Sequence, residues 1–172
     1  MAVVVGNYIR RGKQGNPRAK DAVRYMQHRP ERERERVTRV LFGPDGRWER
    51  MHAYQMIDEA SPGTHFYRMS LNPDPTHEDG KRDLDLRELT GYTMRTLEAI
   101  VQQPVLYVAA EHTEHADNRR HVYLLATVPR RLNTPELKQL RDAATKVCLE
   151  QRQERDRHER QEREQEEDEW EW

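Results

Sequence analysis

The 172-residue chain predicts an α/β protein of the α+β type, with a mainly antiparallel central sheet and helices packed on it. Three observations lead there. The runs His65–Leu71, 105–111 and His121–Val128 have strand length and are rich in aromatic and β-branched residues. Ala19, Ala22, Val23 and Met26 repeat at helical spacing, as do Leu86, Leu89, Met94, Leu97, Ile100 and Val101, and Leu137, Leu140, Ala144, Val147 and Cys148. The order of these elements fits a sheet covered by helices on one face.

Val3, Val5 and Tyr8 alternate with Val4 and Ile9 as a first strand, closed by a two-glycine loop. Asn16 is suited to cap the next helix and Pro17 to its first position, and Pro30 marks its end. Val37, Val40, Leu41 and Phe42 predict a second strand before the turn Gly43-Pro44-Asp45-Gly46. A short helix over 50–59 follows. The strand His65–Leu71 stops at Asn72-Pro73, and the long amphipathic helix over 86–101 stops near Pro104. The runs at 105–111 and His121–Val128, joined by polar residues 113–120, read as a hairpin of adjacent antiparallel strands. Thr134 and Pro135 open a final helix whose apolar stripe vanishes beyond Leu149, leaving a charged tail that either protrudes as a fraying helix or is disordered. The division is 1–133 for the main domain and 134–172 for a C-terminal helix with a highly charged tail.

A hydrophobic share of 34% is too low for every segment to join a core. Residues 150–172 carry 5 Arg against 11 Asp and Glu, so the formal net charge of −1 hides a basic body. Arg10, Arg11, Lys13, Arg18, Lys20 and Arg24 face one acid, Asp21, over the first 25 residues. Such a cluster suits a phosphate backbone, or is a solvated surface. One cysteine, Cys148, allows no intramolecular disulfide and points to a reducing, cytoplasmic setting. No apolar run approaches the ~18 residues of a membrane span.

Residues 111–123 concentrate His112, His115, His121 and Tyr123. Strand alternation sends His121 and Tyr123 to one face, and a partner strand ending at His112 adds a third side chain to that face. Imidazoles on adjacent strands can hold a transition-metal ion with positions left open for substrate. The cluster also reads as a polar hairpin tip with surface histidines. His115 is either a tip residue or a substitute ligand. Tyr123, a phenol with an ordinary pKa near ~10, is a weak ligand at neutral pH unless a Lewis acid deprotonates it. Elsewhere, Tyr25 lies roughly 110° from the centre of its helix's apolar stripe. Arg18, Asp21 and Arg29 share that flank. Tyr25 is thus either an aromatic at the core edge or a phenol among guanidinium groups able to hold phosphate oxygens.

His121-Val122-Tyr123 resembles the His-apolar-His signature of the relaxase branch of the HUH endonucleases, with tyrosine at the second histidine. Glu111-His112-Thr113-Glu114 is similar to the phrase that supplies a further histidine in that family. Residues 18–27, Arg-Ala-Lys-Asp-Ala-Val-Arg-Tyr-Met-Gln, are similar to the relaxase helix that carries the nucleophilic tyrosine. The resemblance spans most of residues 1–130 and includes Phe66-Tyr67-Arg68-Met69-Ser70-Leu71-Asn72-Pro73. It implies an HUH-like fold and metal-dependent nicking of single-stranded DNA in mobilisation of a plasmid or integrative element, with Tyr25 as nucleophile. His112, His121, the degenerate position Tyr123 and the substitute His115 would be metal ligands. Arg10, Arg11, Lys13, Arg18, Lys20, Arg24 and Arg29 would bind DNA. The resemblance favours Mn²⁺ or Mg²⁺, whereas imidazole ligation alone ranks Zn²⁺ or Ni²⁺ as high. The alternative is a degenerate module that binds DNA or a partner without cutting, and the C-terminal helix is a candidate contact for other mobilisation proteins.

Overall fold

The computed structural model describes residues 3–30, 36–113 and 119–170. In chain order the elements are β1 (Val3–Arg10), α1 (Gly15–His28), β2 (Leu41–Gly43), β3 (Gly46–Trp48), α2 (Arg50–Asp58), β4 (His65–Leu71), α3 (Leu86–Val101), β5 (Tyr107–His112), β6 (His121–Val128) and α4 (Thr134–Trp170). The six strands form one sheet in the order β1-β4-β6-β5-β2-β3. Every neighbouring pair is antiparallel.

Helices cover both faces of this sheet, which corrects the expectation of one covered face. Alternation along the central strands divides the core in two. Tyr67, Met69, Leu71, Leu124 and Ala126 meet α3 and α4, whereas Phe66, Val108 and Leu125 meet Ala19, Val23 and Met26 of α1 and Ala53 and Ile57 of α2. Successive residues of β6 are buried on opposite sides, so the strand reads as an apolar run rather than as an alternating one.

Four local expectations also change. The second strand is confined to Leu41–Gly43, and Arg47 and Trp48 form a third strand that pairs back on it. A Cβ on Gly43 would stand 2.3 Å from the Trp48 indole, and the indole N–H donates to Asp45 Oδ1 at 2.5 Å. These contacts close a hairpin too short to show periodicity. Helix α1 begins at Gly15, not after Asn16. Asn16 Oδ1 instead accepts from the Gly12 amide at 3.1 Å, tying the preceding loop. A Cβ on Gly15 would lie 1.7 Å from the Arg10 carbonyl oxygen, so the helix start is seated directly on the end of β1.

The remaining helices follow the pattern of their side chains. Asp85 caps α3 by accepting from the amides of Arg87 and Glu88 at 3.1 and 3.0 Å. The first turns of α4 contribute Leu140, Ala144, Val147 and Cys148 to the core. Packing continues beyond Leu149, because buried Gln151 exchanges two hydrogen bonds with the Asp85 backbone at 2.7 and 3.1 Å. Arg152 then pairs with Asp83 at 2.6 Å and Lys81 with Glu159 at 2.5 Å. The charged tail is helical to Trp170. No helix among the described residues is long and apolar enough to cross a membrane.

Candidate functional site

The antiparallel register sets His112 directly opposite His121, and Tyr123 opposite Ala110 and Ser70. All three candidate ring side chains therefore emerge on the α1 face. Their centroids form a triangle: 5.1 Å between the two imidazoles, 4.5 Å from His112 to Tyr123, and 4.8 Å from His121 to Tyr123. The imidazoles are nearly parallel, with 24° between planes, and the phenol ring stands edge-on to both. His115 lies outside the described residues.

The end of α1 covers this triangle. His112 is fully buried and His121 is buried. His112 Nε2 lies 2.9 Å from the Met26 carbonyl oxygen, which can only accept, so that nitrogen carries the proton. Buried Arg39 donates to the same carbonyl at 3.3 Å. A protonated ring nitrogen has no lone pair for an ion, so ligation through Nε2 requires displacing the helix carbonyl. The Tyr123 hydroxyl is also engaged, accepting from Arg29 Nη1 at 3.1 Å. A phenol whose oxygen already faces the Arg29 guanidinium does not fit the third position of the three-imidazole ion site that the resemblance implies. Among the described residues, no group of three His, Cys, Asp or Glu side chains is arranged to hold an ion.

Beside the triangle, α1 stands away from the outer part of the sheet and leaves an open cleft of about 590 Å³. Its floor is formed by β1, β4 and β6 and its wall by α1, with Tyr25, Tyr123, Arg18, Arg68, Asn7 and Ser70 among its lining residues. Tyr25 is 56% exposed, as its flank position on the helix predicts. Arg18 and Asp21 line the same cleft. The Arg29 guanidinium lies 5.3 Å from the centroid of the Tyr25 ring. Arg29 thus links the exposed tyrosine of the helix to the tyrosine of the hairpin.

The other basic residues are distributed differently. Arg10, Arg11 and Lys13 are exposed around the β1–α1 turn and do not line the cleft. Lys20 turns to α2, where it pairs with Asp58 at 2.7 Å, and Arg24 pairs with Asp21.

Arg68, Asn7 and Ser70 belong to the cleft but escape the sequence reading. Arg68 donates to the Asn7 side-chain carbonyl through Nε at 2.8 Å and through Nη2. A signal was present: Phe66, Arg68 and Ser70 share one face of a strand, and an arginine on an otherwise buried strand marks where cover ends. No protein-family model, curated protein or solved structure matches the chain, so its chemistry rests on this geometry.

Proposed function

We propose that the protein is a relaxase-like module that captures single-stranded DNA in the cleft between α1 and the sheet. The observation that carries this reading is that two tyrosines, Tyr25 and Tyr123, and two arginines, Arg18 and Arg68, line one open cleft with an apolar floor. Stacking of unpaired bases on tyrosine rings, combined with guanidinium contacts to the backbone, is the usual basis of single-strand binding. Duplex bases are already stacked on each other and offer no free ring faces, which favours a single strand here.

Fluorescence anisotropy with a labelled oligothymidylate and its duplex counterpart tests the proposal. Tighter binding of the single strand is expected, with Tyr25→Ala lowering affinity about tenfold, the loss of one stacked base. Equal affinity for duplex, or no binding, counts against it.

Strand nicking is a second reading, favoured by the exposure of the Tyr25 phenol. In that step the Tyr25 oxygen bonds to phosphorus and the P–O3′ bond breaks. The phenol gives up its proton to water, and the departing 3′ oxygen takes one up to become a free hydroxyl. A denaturant-resistant protein–DNA adduct that forms with Mn²⁺ and vanishes in Tyr25→Phe supports this reading. Binding without an adduct assigns capture alone.

A further inference from the structure

The resemblance calls for a metal ion at the phosphate, yet the Tyr123 oxygen of the ring cluster is held by Arg29. We infer that Arg29 serves as the phosphate-binding cation of the cleft in place of a metal ion, held on the Tyr123 hydroxyl and the Tyr25 ring. The inference rests on the single-strand reading above and specifies which group would grip the backbone.

Four observations lead to it. His112 Nε2 is committed as a donor to the Met26 carbonyl, which takes that one nitrogen out of an ion site. The Tyr123 oxygen is occupied by Arg29, and a guanidinium beside that oxygen repels a second cation. Among the described residues, Tyr123 receives the only side-chain hydrogen bond of Arg29. Most of its five N–H donors therefore remain for a phosphate, whose oxygens accept a guanidinium in bidentate fashion. Finally, Arg29 does not itself line the cleft but stands at its edge, held between Tyr25 and Tyr123, which both line it.

Tyrosine at position 123 is then a positioning residue with a definite task. A phenol projects its oxygen beyond the ring and accepts from a cation. An imidazole at the same place would offer a lone pair in the ring plane, suited to an ion. With tyrosine at position 123, the phosphate would be held by an arginine rather than by an ion.

Anisotropy titrations of the full chain with a labelled oligothymidylate, in EDTA and in Mn²⁺, test this. The expected result is equal affinity in the two buffers, with about a tenfold or greater loss in Arg29→Ala, the worth of a charge-assisted hydrogen bond. Arg29→Lys should recover part of that loss by restoring charge without the fork. Tyr123→Phe should weaken binding about threefold by freeing the arginine to move. Circular dichroism of each variant separates misfolding from lost contact. Binding by the wild type only with Mn²⁺, or unchanged affinity in a folded Arg29→Ala, overturns the inference while leaving single-strand capture intact. No binding in either buffer overturns capture itself, and the role of Arg29 with it.

Discussion

The two faces of the sheet are built from the same strands and end in opposite states. On one face α3 and α4 close over Tyr67, Met69, Leu71, Leu124 and Ala126, and even the thiol of Cys148 is fully enclosed. On the other, α1 and α2 cover Phe66, Val108 and Leu125 but leave Arg68 and Ser70 at an open cleft. The difference lies in the covering helices. Helix α3 has 16 residues and α4 has 37, whereas α1 has 14 and α2 only 9. Helices α1 and α2 leave part of β1, β4 and β6 uncovered, and Tyr25, Arg18 and Arg68 line the opening. Both faces hold a buried core, and the second also carries an open cleft.

If that division is real, thiol chemistry should show the largest contrast. Burial pushes the Cys148 thiol up to about 12, so at pH 8 its thiolate fraction is minute. Labelling by an aromatic disulfide reagent should be on the order of a thousandfold slower in the native protein than in urea. Rapid labelling of the native state would show that the closed face opens.

Core truncation comes next. Leu89 on α3 is fully buried, and Leu89→Ala should cost about 2–5 kcal/mol in urea unfolding. Tyr25→Ala on the open face should change stability by less than about 0.5 kcal/mol while weakening single-strand binding. Comparable destabilisation by both substitutions would erase the distinction between the faces.

The smallest effect concerns the start of α4. Arg130 meets the Glu136 carboxylate at 2.8 and 2.7 Å, and Asn133 donates its amide to the same group at 3.0 Å. The Arg130 guanidinium leads in holding the carboxyl down to about 2, against an ordinary value of 4.5. Because the folded value is depressed, the stabilisation is fully present above about pH 4.5 and is lost as pH falls towards 2. Solvent screening limits it to about 0.5–1 kcal/mol. Glu136→Gln should flatten that part of the stability profile, and an unchanged profile would remove the pair from the account.

Long periodic elements were legible in the sequence. The strand His121–Val128 and the helix Leu86–Val101 appear with the expected limits, and β5 ends at His112 as the hairpin pattern requires. The flank position of Tyr25, with Arg18, Asp21 and Arg29 around it, follows from helix geometry alone. What escaped depends on contacts distant in the chain. The hydrogen bond from His112 to Met26 joins residues 86 positions apart, and Arg29 meets Tyr123 across 94. Side-chain periodicity carries no information on such pairs. The second helical layer is legible only in part: the apolar runs of β4 and β6 signal burial on two sides but do not say what covers the second.

Gly15 carries a consequence for the rest of its helix. With no side chain there, the backbone of α1 rests against the Arg10 carbonyl, and Tyr25 stands ten residues, about 15 Å, further along. A methyl group at that seat would push the first turn of α1 off the end of β1 and disturb the packing of Ala19, Val23 and Met26 that follows it.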